Sequence, residues 1–218
     1  MPEHDIARHL SAGQAHLRGI DSAWARLVDQ VGDCRLTTAV ERSPYESLAR
    51  SVAYQQLHGK AAAAIVGRLV ARFPGQDFPS PQQLAALAPE TLRECGFSAR
   101  KVATLQGLAS AAMEGDIPGR EEAAEMDDED LVKRFTRIKG IGRWTVEMML
   151  IGTLGRPDIL PVDDFGIRDG TRYLFGLDHM PTPAETRRRC EPCRPWRTLA
   201  SWYLWRANEQ PDYRRLGQ

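Results

Sequence analysis

Residues 138–170 read "IKGIGRWTVEMMLIGTLGRPDILPVDDFGIRDG", with two closely spaced glycines before a helical run and a pair of aspartates near the end. Gly140 and Gly142 can adopt the positive φ values that other residues resist, so the pattern predicts a tight turn between two helices. The N–H groups and dipole at the start of the second helix favour an anion such as phosphate. Taken alone, the glycine pair is weak evidence, because it is more often a simple helix end.

Apolar residues recur at helical spacing through most of the chain, and alternating β-branched runs are short and isolated. The clearest helix start has Ser43 as its N-cap, Pro44 at the first helical position and Glu46 three residues after the cap. The predicted helices cover residues 43–57, 60–73 and about 99–113, 128–137, 142–153, 165–175, 183–190 and 196–208. Loops are expected near 74–81, 114–120, 155–164 and 176–183. The sequence therefore predicts an all-α protein.

The formal net charge of zero hides an uneven distribution along the chain. Residues 1–130 carry 13 Lys and Arg against 19 Asp and Glu, a net of −6, whereas residues 131–218 carry 16 against 10, a net of +6. A local cationic field attracts a polyanion even when the whole protein is neutral. The basic half contains both glycines of the turn, although basic clusters such as the three arginines at 187–189 are also typical of solvated helix faces.

Composition is that of a globular protein. Of the 218 residues, 42% are apolar and 27% are charged, which is enough for a sizeable core. No apolar stretch approaches the roughly 20 residues that span a bilayer, and the N-terminus lacks the pattern of a signal peptide. The four cysteines are too few and too scattered for a disulfide framework. We therefore expect a cytoplasmic protein with free thiols and no membrane contact.

The stretches "IKGIGRWTVEMML" and "LPVDDFGIRD" resemble the hairpin and catalytic-aspartate segments of the helix-hairpin-helix-GPD superfamily of DNA glycosylases, specifically its 3-methyladenine DNA glycosylase II group. "YESLARSVAYQQLHGKAAAAI" is similar to the region of the strand-separating loop in compact members, and "RPWRTLASWYLWR" to their C-terminal helix. The resemblance covers about residues 40–208. It implies a single glycosylase unit with a two-lobed helical fold and the active site in the cleft between lobes. The middle lobe would span about 45–160, with the hairpin at 134–150, and the second lobe 1–44 plus 161–218.

The resemblance assigns the essential acid to Asp164, which follows Trp144 by 20 residues, as in the family. A carboxylate suits this role because cleavage of the C1′–N bond develops positive charge on the sugar, which a fixed anion stabilises. The alternative for an Asp-Asp pair before a helix is simple capping. We expect Asp164 to act in catalysis and Asp163 to cap the helix that begins near Phe165.

The expected base pocket contains Trp144, Met148, Trp205 and Gln55. Both indoles match family pocket positions and would stack on an electron-poor purine through cation–π attraction, although core filling is the alternative for each. Met148 stands where the larger bacterial relatives carry a tyrosine, which affects the expected substrate range.

The loop after the helix of residues 43–57 is expected to enter the duplex. Leu57 and His58 fit a wedge that fills the space left by a flipped base, as family members use a side chain from this loop. For His58 the alternative is an ordinary loop histidine.

The hairpin is expected to bind DNA phosphates. Its predicted contacts are Lys139, Gly140, Gly142, Arg143 and Thr145. Hairpins of this family also hold a monovalent cation, so a structural sodium or potassium ion would bind main-chain oxygens of Thr136, Ile138 and Ile141. No cofactor is expected to be required, because Cys190 and Cys193 lack the second cysteine pair of a zinc or iron–sulfur site.

These features predict a monofunctional DNA glycosylase that hydrolyses the N-glycosidic bond of alkylated purines, of the 3-methyladenine and 7-methylguanine type, to start base-excision repair. Bifunctional relatives carry a lysine nucleophile where Trp144 stands, and an indole cannot form a Schiff base. The expected partner is double-stranded DNA with alkylated bases, bound by a monomer that is nucleoid-associated if bacterial. The alternatives are a non-catalytic helix-hairpin-helix DNA-binding protein and a glycosylase for another damaged base.

Overall fold

The structure is a computed structural model that describes residues 3–57 and 59–213, with side-chain environments from Leu10 onward. Within these ranges the chain is helical and no residue lies in a strand, so the predicted all-α class is confirmed. The chain divides into two compact units. The discontinuous unit combines residues up to Thr37 with those from Arg156 onward, and the continuous unit runs from Thr38 to Gly155. Among the helices described, none has the length and apolar character to cross a membrane.

The helices follow one another with short connections. In chain order they are α1 (Glu3–Ile20), α2 (Ser22–Val31), α3 (Pro44–Tyr54), α4 (Gly59–Val70), α5 (Pro81–Ala85), α6 (Pro89–Glu94), α7 (Ala99–Met113), α8 (Arg120–Glu125), α9 (Asp128–Phe135), α10 (Arg143–Gly152), α11 (Phe165–Leu174), α12 (Pro183–Arg189) and α13 (Arg197–Leu204). Single 3-10 turns cover Glu191–Cys193 and Ala207–Glu209.

In the continuous unit, α7 packs against α3, α5 and α6, while α10 packs against α3 and α9. The predicted start of α3 is confirmed, since the Ser43 hydroxyl accepts a hydrogen bond from the N–H of Glu46 at 3.2 Å and Pro44 is the first helical residue. The predicted end at residue 57 is wrong, because α3 stops at Tyr54. The following residue, Gln55, leaves the helical conformation with φ −53° and ψ 124°.

Two helices of the discontinuous unit were not predicted. α1 and α2 precede the first helix that the periodicity indicates, and α1 contains Gly13 and Gly19, which weaken a helix by roughly 1 kcal/mol each relative to alanine. Packing compensates for this weakness: Leu17 and Trp24 are fully buried in a core shared with α11 and α13. Burying each such side chain contributes roughly 1.5–3 kcal/mol, so tertiary contact decides the helix here.

The short helices α5 and α6 also escape the periodicity, because each is under two turns long. A local signal for α5 was present in the sequence. The Ser80 hydroxyl accepts from the N–H of Gln83, and the Gln83 side chain accepts from the N–H of Ser80, which is a complete capping box.

α11 and α13 approach each other closely in the discontinuous unit. A Cβ atom on Gly170 of α11 would lie 2.2 Å from the main-chain oxygen of Leu204, so only glycine fits at this position. The close approach brings the C-terminal end of α13 beside α11, the helix that begins directly after Asp164.

Candidate functional site

The hairpin consists of α9, the turn of residues 136–142 and α10, and its two glycines have different tasks. Gly140 has φ +92°, and a Cβ atom there would lie 2.0 Å from the Thr104 hydroxyl oxygen. Gly142 is the N-cap of α10 with φ −99° and ψ 167°, and its Cβ would meet nothing within 4 Å. The expected positive φ is therefore confirmed for Gly140 and wrong for Gly142. Gly142 instead leaves the start of α10 uncovered, which is where an anion would approach.

Three other predicted phosphate contacts lie at or next to this turn. Lys139 is exposed in the turn. Arg143 donates to both carboxylate oxygens of Glu129 at 2.7 Å, so its guanidinium links α10 to α9, and a phosphate would compete with Glu129 for it. Thr145 requires a correction: it is 2% exposed, and its hydroxyl accepts from the side-chain amide of Gln55 at 3.2 Å. The Thr145 side chain is enclosed in the protein and is not a phosphate ligand in this structure.

Gln55 lies against the hairpin. Its Nε2 atom donates to the main-chain oxygen of Gly140 at 3.3 Å as well as to Thr145, so its amide donors serve the hairpin and not the base pocket expected from the sequence. The main-chain oxygen of Gln55 accepts from the ammonium group of Lys101 at 2.8 Å. Sequence reasoning missed Lys101, because a lysine in the first turn of α7 carries no motif.

The α3–α4 loop carries the predicted wedge. Gln56 has φ +56°, a left-handed conformation that costs a residue with a Cβ roughly 1–2 kcal/mol. Leu57 follows it and is 41% exposed, which is unusual for a large apolar side chain in the described structure. His58 lies outside the described residues. The exposure of Leu57 is compatible with a wedge, and its insertion into DNA stays a prediction.

Trp144 and Met148 lie one turn apart on α10 and therefore share a face of that helix. Both are half-buried, whereas Val146 and Met149 between and beside them are fully buried. Each of the two residues is therefore partly accessible. Their role in a base pocket stays a prediction.

Asp164 is the N-cap of α11. Its Oδ1 atom accepts from the N–H of Ile167 at 2.9 Å and from the indole Nε1–H of Trp205 at 2.9 Å. The capping role assigned to Asp163 is wrong, since Asp163 is an exposed residue before the cap. Capping and catalysis are compatible for Asp164, because both donors act on one oxygen and hold the carboxylate in a defined orientation.

Trp205 reaches Asp164 because Gly166, in the first turn of α11, has no side chain. A Cβ atom on Gly166 would lie 2.9 Å from Cδ1 of Trp205 and 3.1 Å from Oδ1 of Asp164. Any larger residue would push the indole away from the carboxylate. Gly166 belongs to the catalytic-aspartate segment, but no pattern within that segment indicates this task, because it depends on a residue 39 positions further along the chain.

The four cysteines are free, and Cys190 and Cys193 are fully buried. A hydrogen bond between these two thiols lowers the pKa of Cys190 and raises that of Cys193. In the part of the chain that the structure describes, no three His, Cys, Asp or Glu side chains form a group that could hold a metal ion.

The chain matches one family model and several known proteins. Residues 49–195 match the model of the HhH-GPD superfamily of base excision DNA repair proteins. The chain is 45% identical over 212 residues to DNA-3-methyladenine glycosylase 1 of Schizosaccharomyces pombe, covering 97% of this chain and 93% of the relative. It is 39% identical to the alkylbase DNA glycosidase-like protein mag2 of the same organism, with 94% and 95% covered.

A solved structure of the Schizosaccharomyces pombe 3-methyladenine DNA glycosylase Mag1 in complex with abasic DNA is also similar to this chain. The TM-score is 0.89 at 45% identity, and the match covers 94% of this chain and 100% of that one. The family match spans well over half of the sequence and includes the hairpin and Asp164. The chain therefore belongs to the HhH-GPD superfamily of base excision DNA repair proteins.

Proposed function

We propose that this protein is a monofunctional DNA glycosylase that hydrolyses the N-glycosidic bond of alkylated purines in double-stranded DNA and so starts base-excision repair. The observation that carries the proposal is the carboxylate of Asp164, which the N–H groups of Ile167 and Trp205 hold at the start of α11. The full-length similarity to DNA-3-methyladenine glycosylase 1 supports the choice of substrate class.

The proposed reaction uses Asp164 as a fixed negative charge. As the C1′–N bond breaks, its electron pair leaves with the base and positive charge develops on the sugar, where a pre-oriented carboxylate stabilises it. A water oxygen then bonds to C1′ and one proton of that water passes to the solvent, which leaves a neutral sugar with a hydroxyl at C1′. An alkylated purine such as 3-methyladenine is already cationic, so its departure needs no strong general acid.

The aromatic side chains would select the base. Trp205 is fixed by its hydrogen bond to Asp164, which also fixes the plane of its ring. Trp144 and Met148 offer an accessible aromatic and thioether surface on one face of α10. An electron-poor purine ring suits such a surface, because a cation is attracted to the face of an indole.

The proposed enzyme removes the base without cutting the strand. An amine nucleophile would form a Schiff base at C1′, and the hairpin helix presents the indole of Trp144 at the position where bifunctional relatives carry lysine. The exposed Lys139 belongs to the turn, where it suits a phosphate contact.

The decisive experiment is to incubate the protein with methylated duplex DNA and to identify the free bases by chromatography, with and without borohydride. We expect release of 3-methyladenine and 7-methylguanine, no strand cleavage and no trapped covalent adduct. Binding to the DNA without release of any base would favour the non-catalytic alternative. A second duplex that carries oxidised or mismatched bases is assayed in parallel, and release from that duplex alone would favour the other glycosylase. A trapped adduct would overturn the monofunctional mechanism.

A monovalent cation in the hairpin is part of the same proposal. The main-chain oxygen of Ile138 accepts the N–H of Ile141 at 3.0 Å, and a carbonyl oxygen has a second lone pair for an ion. With Thr136 and Ile141 it would hold sodium or potassium near the bound phosphate. Replacing both ions with tetramethylammonium at equal ionic strength should then weaken DNA binding.

Because the proposed substrate is chromosomal DNA, the protein would act where that DNA lies, which is the nucleoid in a bacterium.

A further inference from the structure

Three hydrogen bonds converge on Gln55, two residues before the exposed Leu57. We propose that Lys101 and Gln55 are positioning residues that fix the α3–α4 loop to the phosphate-binding hairpin, so that gripping the DNA backbone also aims Leu57 into the duplex. This inference rests on the proposed function and adds to it a coupling between two DNA contacts.

Lys101 supplies the first part of the connection. Its half-buried ammonium group, on α7, donates to the main-chain oxygens of Ala53 at 2.9 Å and of Gln55 at 2.8 Å. These oxygens lie at the C-terminal end of α3, where the helix dipole favours a positive charge. Partial burial lowers the pKa of Lys101. The contact therefore fixes the main chain at the point where α3 ends and the loop begins.

The loop itself needs such support. Gln56 has φ +56°, and a residue with a side chain keeps a left-handed conformation only when its surroundings hold it there. The strained residue lies between the anchored Gln55 and the exposed Leu57. Release of the anchor would let Gln56 relax to an ordinary conformation and change the direction of Leu57.

The side chain of Gln55 supplies the second part of the connection. Its amide donates to the main-chain oxygen of Gly140 and to the hydroxyl of Thr145, one on each side of the start of α10. Gly140 lies so close to Thr104 of α7 that a side chain would not fit there, so this part of the hairpin is packed against α7. One residue thus joins the loop to the rigid part of the hairpin, and the hairpin is the element expected to bind phosphate.

Pre-organisation of this kind favours base flipping. Extruding a nucleotide requires unstacking, and Leu57 loses less conformational freedom on entering the gap when the main chain before it is already held in place. The alternative is that Lys101 and Gln55 only stabilise the fold, in which case their loss would affect every substrate alike.

The test compares single-turnover excision of an alkylated base from an intact duplex and from a duplex with a gap opposite the lesion, where no wedge is needed. For Lys101→Met and Gln55→Leu we expect the duplex rate to fall roughly tenfold, the size of one lost hydrogen bond, with little change on the gapped substrate. Thr145→Val, which removes only the acceptor hydroxyl, should show the same selectivity. Lys101→Arg keeps a charged donor and should recover most of the duplex rate.

Gln106→Leu is the matched control, because Gln106 also lies on α7 and its amide donates to a main-chain oxygen, that of Leu87, at 3.3 Å. This variant should leave the ratio of the two rates unchanged. Thermal unfolding identifies any variant that fails to fold, and Thr145→Val tests the same bridge with the smallest change in shape. Equal slowing on both substrates, or no slowing on either, would overturn the coupling.

A second readout separates this inference from the proposed function. A duplex with 2-aminopurine opposite a tetrahydrofuran abasic site reports unstacking by fluorescence and needs no chemistry. Wild type should raise the signal, and Lys101→Met should bind with a smaller rise. If wild type releases no base from any substrate but this difference persists, the glycosylase proposal fails and the coupling stands. If release is normal and the signals are equal, the coupling fails alone.

Discussion

Each of the two compact units has glycine next to a predicted site, but for opposite reasons. In the hairpin of the continuous unit, Gly140 is needed for its own backbone, which has φ +92° and lies against Thr104. In α11 of the discontinuous unit, Gly166 and Gly170 are ordinary helical residues, needed for the space they leave to Trp205 and Leu204. A local turn therefore makes the hairpin, whereas packing of one helix against another makes the environment of Asp164. Substitutions should accordingly affect stability and binding at the first site and chemistry at the second.

The largest effect on chemistry is expected from Asp164→Asn. Asparagine is also a good N-cap, and its side-chain oxygen can accept from Ile167 and Trp205, so the fold and DNA binding should be kept. Only the charge is lost, and single-turnover excision should fall roughly 100-fold or more. Excision close to the wild-type rate by a folded variant would refute the role of this carboxylate.

The largest effect on stability is expected from Gly140→Ala. The alanine would have to keep a left-handed backbone, and its Cβ would collide with the Thr104 hydroxyl, so the free energy of unfolding should fall by roughly 2–4 kcal/mol. Urea unfolding measures it. Gly107→Ala on α7 is the control: its Cβ would meet nothing within 4 Å, and alanine favours a helix, so stability should be equal or higher. Equal stabilities of the two variants would contradict the rigid turn.

Gly142→Asp should weaken DNA binding without destabilising the protein. Gly142 is the extended N-cap of α10 and aspartate is a preferred cap, so the fold should tolerate it. The new charge repels phosphate, and affinity for damaged and undamaged duplex alike should fall roughly tenfold, with a shallower dependence on salt. Gly142→Asn, a neutral cap of the same shape, should bind nearly as wild type in fluorescence anisotropy. Unchanged binding of the aspartate variant would remove the hairpin from the DNA interface.

The smallest effect is expected from Gly166→Ala, which tests directly whether this glycine acts through Trp205. Its Cβ would displace Trp205 from Asp164, and excision should slow about threefold to tenfold, the size of a lost hydrogen bond, while DNA affinity is unchanged. Trp205→Phe removes the indole N–H in advance, so Gly166→Ala should slow that variant less. Additive effects of the two substitutions would show that Gly166 does not act through Trp205.

Much of the molecule could be predicted from short stretches of sequence. The start of α3 depends on Ser43, Pro44 and Glu46, and the hairpin on glycines two residues apart, so the physical cause lies within a few neighbouring residues. The motif residues that carry the family resemblance were also enough to indicate the family and Asp164 as its acid. The local pattern was misleading at Gly142, where glycine serves as an extended cap, and at Asp163, which is not the cap of α11.

The tertiary structure decided the contacts that orient these residues. Trp205 donates to Asp164 across 41 residues, Gln55 to Thr145 across 90, and Lys101 to the oxygen of Gln55 across 46. Such contacts leave no periodic signal, because a hydrogen bond between distant residues depends on how helices pack and not on spacing along the chain. The same reason explains α1, which tertiary burial stabilises despite two glycines. The helical class and the family follow from the sequence alone, and its motif predicts Asp164 as the acid, whereas the packing of the helices decides which groups hold Asp164 and Gln55.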